Sequence, residues 1–137
     1  MLREDVKKLE SFVKQEADKL EELGVVALIL FGSAIRGGTW KGSDLDVAVL
    51  FSGSDDRNLE ELVSLLQREV RSELDLVVLN KAPARIRFSS LKGKVIYVSD
   101  ERKYVEFAAR TFDEWADLER LRRTLWNYTK RWLLLES

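Results

Sequence analysis

The most constraining feature of this chain is a run of seven uninterrupted apolar residues, VVALILF (25–31), bracketed by Gly24 and Gly32. The run is too short for a membrane span and opens with two β-branched residues, so it predicts a strand buried on both faces. Such a strand must lie inside a sheet, covered on each side. DLDVAVLF (44–51) and LDLVVL (74–79) predict two more strands, and VIYV (95–98) a short fourth. Between the first two strands, residues 32–43 (GSAIRGGTWKGS) are glycine-rich and predict a loop.

Helices fill the remaining intervals. Leu2, Val6, Leu9, Val13, Ala17, Leu20 and Leu23 recur at three- and four-residue steps, which predicts one amphipathic helix over 2–23 closed by Gly24. Asp55 or Asp56 is placed to cap a second helix marked by Leu59, Leu62, Val63, Leu66 and Val70. The only proline, Pro83, precedes a short segment open to a helical turn. Ser99 or Asp100 then caps a final helix of up to 36 residues. Two strands follow one another without a helix at two points, which argues against a doubly wound parallel sheet. The expectation is an α+β fold: a mixed sheet of about four strands with helices packed on it, as one domain over 1–137.

Composition removes whole classes of chemistry. The 137 residues include no cysteine and no histidine. Disulfides, thiol nucleophiles, histidine acid–base catalysis and the usual zinc sites are therefore excluded. A metal used here must accept oxygen ligands, which points to Mg²⁺ or Mn²⁺. The net charge of −1 gives the chain as a whole no polyanion-binding character. Its charged, periodic N-terminus, MLREDVKKLE, is unlike a signal peptide, so a cytoplasmic protein without a membrane segment is expected.

Asp44 and Asp46 are two apart on one strand, so their side chains share a face. Adjacent carboxylates repel, and a divalent cation offsets that cost. The pair alone fits a solvated strand start equally well. Asp75, at the start of another apolar strand, could add a third carboxylate at the same sheet edge. Gly32-Ser33 is by itself an ordinary turn pair, although it could also cradle phosphate oxygens. The combination is more specific. Gly-Ser, ten residues, then Asp-x-Asp arises by chance in roughly 3 of 1,000 chains of this composition, a low false-positive rate.

LFGSAIRGGTWKGSDLDVAVLF (30–51) and LDLVVLN (74–80) resemble the minimal nucleotidyltransferase (MNT) domain of the DNA polymerase β-like superfamily. Ile35 departs from the small residue common in that family. The resemblance implies a polymerase β palm-like nucleotidyltransferase fold with ATP as substrate. It implies that Ser33 and the backbone near Gly32 hold the terminal phosphates, with Arg36 and Ser43 also in the nucleotide site. Asp44 and Asp46 would bind two Mg²⁺ ions, or Mn²⁺. Asp75 would bind the catalytic ion and help deprotonate the attacking hydroxyl. Small stand-alone members resemble antitoxins that attach AMP to a tyrosine of a HEPN-domain RNase toxin. Two other functions stay open: a partner-binding antitoxin without catalysis, and transfer to an antibiotic hydroxyl.

Two segments have no assigned role. KAPARIRFSSLKGK (81–94) holds five basic residues and no acid, and suits either a rim attracting triphosphate or a solvated loop. The last helix, at about 54 Å if straight, exceeds the roughly 37 Å width of a globule this size. It must bend near Phe112–Asp117 or overhang. An overhanging stripe containing Trp126 and Trp132 would suit a protein partner or a homodimer, and the alternative is packing on its own sheet.

Overall fold

The computed structural model describes residues 2–32, 45–53 and 58–136, without the side chains of Leu2 and 133–136. The elements run α1 (Leu2–Gln15), α2 (Ala17–Glu22), β1 (Val25–Phe31), β2 (Leu45–Phe51), α3 (Leu59–Gln67), β3 (Leu74–Val78), α4 (Ala84–Leu91), β4 (Lys94–Val98) and α5 (Glu101–Glu136). The strands form one mixed sheet in the order β3-β2-β1-β4. β1 pairs antiparallel with β2 and β4, while β2 pairs parallel with β3 across α3. This is the expected mixed α+β architecture, with the 25–31 run as an interior strand.

The two sheet faces carry separate cores. Leu28, Leu30, Leu45, Val47 and Val49 pack with Leu9, Val13, Leu20, Leu62 and Leu66 from α1, α2 and α3. Ile29, Ala48 and Leu50 face the other way, with Phe107 of α5 and Leu91 of α4 packed there. Strand alternation therefore places Asp46 on the same side as Ala48 and Leu50.

Several local readings change. The helix expected over 2–23 is two helices, separated at Glu16, whose backbone sits at φ −109° and ψ 28°. Gly24 follows at φ +81°, the left-handed geometry expected after a helix end. The expected caps Asp55 and Asp56 lie outside the described residues. Asn58 occupies the N-cap position of α3 and donates its side-chain amide to Leu23 O at 3.0 Å. For α5, Asp100 is the cap, accepting the Lys103 N–H at 3.1 Å.

The basic stretch 81–94 is not a solvated loop. It forms α4 and the start of β4, and cations within it are engaged by protein groups. Arg87 pairs with Glu114, whose carboxyl it holds below the ordinary value. Lys94 pairs with Glu10, and Lys92 lies 4.8 Å from the centre of the Phe88 ring. Phe88 also stacks on Trp115 and meets Phe112 edge-on, joining α4 to α5.

α5 is a continuous helix of 36 residues that overhangs the core. Phe107 and Thr111 are buried and Trp115 is half-buried, but residues 120–132 are all exposed. Among the described residues, no helix is long and apolar enough to cross a membrane.

Candidate active site

The site is built at the end of the sheet where β1 finishes and β2 and β3 begin. Asp46 pairs in register with Asp75 across the parallel β2/β3 ladder. Registered neighbours point to the same face, with their backbones about 4.8 Å apart. The two carboxylates therefore emerge side by side. Asp46 is half-buried and Asp75 exposed, so the pair opens to solvent on the β3 side. Leu45 and Val47, flanking Asp46, are fully buried on the opposite face, which fixes the direction of the carboxylate.

Gly32 closes the site from the β1 side. Phe31 pairs with Asp46, and Gly32 follows at φ +87°. A Cβ at Gly32 would lie 2.3 Å from Asp46 Oδ2. The missing side chain thus lets the backbone approach the carboxylate, and the positive φ independently favours glycine.

The ends of β2 and β3 are tied at both limits. Near the carboxylates, Leu45 N–H donates to Glu73 O at 2.9 Å. At the far limit, Asn80 Oδ1 accepts the Phe51 N–H at 2.9 Å. Its Nδ2 donates to Phe51 O at 2.9 Å and to Gly53 O at 3.1 Å. These bonds hold the register that sets Asp46 against Asp75.

Of the expected site residues, the structure thus brings together Gly32, Asp46 and Asp75. Ser33, Arg36, Ser43 and Asp44 lie outside the described residues. Among the described residues no three acidic side chains are grouped closely enough to hold a metal ion together. Sequence reading missed Asp5, a buried carboxylate on α1. It accepts the Arg71 N–H at 3.2 Å, the Ser72 N–H at 3.0 Å and the Ser72 hydroxyl at 2.5 Å. Burial pushes its carboxyl upward, but these donors outweigh burial and hold it below the ordinary value. A signal was present: Asp5 is four residues before Leu9, on the apolar face of α1 rather than the solvated one.

Two aligned carboxylates in a chain without histidine or cysteine are hard oxygen donors suited to Mg²⁺ or Mn²⁺. Of the three carboxylates expected at one sheet edge, the described residues place Asp46 and Asp75 in register, with Gly32 against Asp46. The family model described as polymerase beta, nucleotidyltransferase matches residues 7–102. The chain belongs to this nucleotidyltransferase family.

Solved structures of similar fold agree with that membership. A chain from a toxin–antitoxin crystal structure with AMP-PNP superposes with a TM-score of 0.66 at 24% identity, covering 86% of this chain and 95% of that one. A chain from the complex of a tri-AMPylated Shewanella oneidensis HEPN toxin with MNT antitoxin gives 0.61 at 22% identity, covering 93% and 97%. A chain of the toxin–antitoxin MntA-HepT gives 0.60 at 22% identity, covering 85% and 94%. At these identities the likeness is one of fold. No curated protein matches the sequence. In this nucleotidyltransferase-family chain, Asp46 and Asp75 lie in register at the end of the sheet where β2 and β3 begin.

Proposed function

We propose that this nucleotidyltransferase moves AMP from ATP to a protein hydroxyl, a tyrosine of a HEPN-domain toxin, as the antitoxin of a toxin–antitoxin pair. The observation that carries the reading is the registered Asp46–Asp75 pair backed by Gly32. The partner and the nucleotide are supported by the similar folds found in a toxin–antitoxin structure with AMP-PNP and beside an AMPylated HEPN toxin.

Residues 1–137 would act as one nucleotidyltransferase domain in the cytoplasm, where ATP is available. Asp44, Asp46 and Asp75 would hold Mg²⁺, with Mn²⁺ as a substitute. When bound, the metal supplies charge neutralisation at the phosphates and lowers the cost of deprotonating the acceptor. Ser33, the backbone at Gly32, Arg36 and Ser43 would bind and orient the triphosphate. The acceptor oxygen bonds to the α-phosphorus as the bond to the β-phosphate oxygen breaks, and pyrophosphate leaves. The acceptor proton passes to the Asp75 carboxylate, which is solvent-exposed and open to an incoming side chain. In-line transfer of this kind depends on positioning and charge rather than a covalent intermediate, so a chain without histidine can perform it.

The overhanging half of α5 supports a protein acceptor. Leu118, Leu121, Leu125, Tyr128 and Trp132 recur at three- and four-residue steps and are 46–66% exposed. Residues 120–132 also carry five cations and no acid. That face favours a second reading, in which docking alone neutralises the toxin. The deciding experiment mixes the protein with the toxin encoded beside it, ATP and Mg²⁺, and weighs the toxin by mass spectrometry. AMP-sized increments that vanish with Asp46→Asn support transfer. Full neutralisation by Asp46→Asn, with no mass change, supports docking alone.

A further inference from the structure

We infer that Asp5 is a positioning residue for Asp75, acting through the loop that leads into β3. The inference rests on the reading of Asp46 and Asp75 as a metal-binding pair. The bonds from Asp5 reach 66 and 67 residues along the chain and end on Arg71 and Ser72, just ahead of β3. Gln67, the last residue of α3, completes the hold. Its Nε2 donates to Ser72 O at 2.8 Å, and its Oε1 accepts the Leu74 N–H at 3.0 Å. Glu73 O accepts the Leu45 N–H from β2 at 2.9 Å. Each residue from Arg71 to Leu74 therefore has a backbone group fixed, and Asp75 follows immediately.

Chemistry argues that this hold does more than fill space. Asp5 is 2% exposed, and an ionised carboxylate is among the costliest groups to bury. A leucine at that position would extend the Leu9–Val13 stripe without the cost. What the carboxylate adds is direction: two oxygens that fix three donors of a loop lacking regular hydrogen bonding. Metal-binding carboxylates must be held to within about 0.5 Å of their working positions. Among the described residues, the strand of Asp75 has one ladder partner, β2, so the placement of Asp75 depends on this loop.

The test measures Mn²⁺ binding to the intact, nucleotide-free protein by calorimetry, at a temperature where circular dichroism shows every variant folded. Asp5→Asn should weaken Mn²⁺ binding at least tenfold, and Ser72→Ala, which deletes one donor, about threefold. Leu20→Val, on α2 in the core on the sheet face away from Asp46 and Asp75, serves as a control for loss of stability alone. It should lower the melting temperature and leave Mn²⁺ affinity unchanged. Should Asp5→Asn fail to fold, Ser72→Ala decides. Wild-type affinity in Asp5→Asn, or in Ser72→Ala where that variant decides, overturns the inference and leaves the site reading intact. Equal weakening in Leu20→Val also overturns it, because general loosening would then suffice. No Mn²⁺ binding by the unaltered protein overturns the site reading, and this inference with it.

Discussion

Gly32 and Asp46 are in van der Waals competition for the same space: a Cβ on the first would sit 2.3 Å from a carboxylate oxygen of the second. At φ +87° the glycine also occupies backbone space that other residues enter at a cost. Gly32→Ala should therefore displace the Asp46 carboxylate and strain the end of β1 together. We expect a stability loss of about 1–3 kcal/mol in chemical denaturation. AMP transfer should fall further than that loss explains, measured where the variant is still folded. Transfer at the wild-type rate would show that the close approach has no catalytic consequence.

Removing charge from the acidic pair should separate stability from chemistry. Asp46 and Asp75 point to one face from registered positions, so they repel each other when no cation lies between them. Asp75→Asn relieves that repulsion without changing shape. The melting temperature in EDTA should stay level or rise, while transfer falls by about a thousandfold. Mg²⁺ should raise the melting temperature of the unaltered protein and not that of the variant. A variant that melts lower in EDTA would mean that Asp75 has a structural partner of its own.

Asp5 makes stability depend on pH in a defined direction. Its carboxyl is held below the ordinary value of 3.8 by Ser72 and the Arg71 and Ser72 N–H groups, against the opposing effect of burial. A group with a lowered folded-state pKa contributes stability above its unfolded value and loses it as pH falls through the folded one. The stability gap between the unaltered protein and Asp5→Asn should be full at pH 6 and should narrow below about pH 4. Urea titrations at pH 6 and pH 3 measure it. A gap that stays constant across that range would mean the carboxylate is not ionised in the folded protein.

The sequence made the strands legible because uninterrupted apolar runs bounded by glycine or acids leave little else to form. It also made Asp46 and Asp75 legible, since an acid beside fully apolar neighbours on a strand needs a reason. The break at Glu16 was hidden, because the apolar stripe keeps its helical phase across it. α4 was only partly visible, since its side chains are used on Glu114 and Trp115, residues of a distant helix. The place of Asp5 on the apolar face of α1 was visible, but what it holds was not, for a related reason. Its partners are mostly backbone N–H groups in a loop more than sixty residues away, and a backbone donor has no signature in sequence.

The overhang of α5 allows binding and catalysis to be separated. Leu121 and Leu125 are 54% and 58% exposed, and both lie beyond Trp115, where contact with α4 occurs. Replacing both with Asp removes apolar surface that the folded chain does not use, so the melting temperature should change by no more than about 2 °C. If this face carries the toxin, the double variant should lose co-purification with it and should AMPylate it slowly. Raising the toxin concentration should restore the rate, because the acidic site is untouched. The signature is thus a raised KM with kcat retained, the opposite of the loss expected from Asp75→Asn. A double variant that binds and labels the toxin normally would remove α5 from the interface, leaving its exposed leucines without a part in recognition.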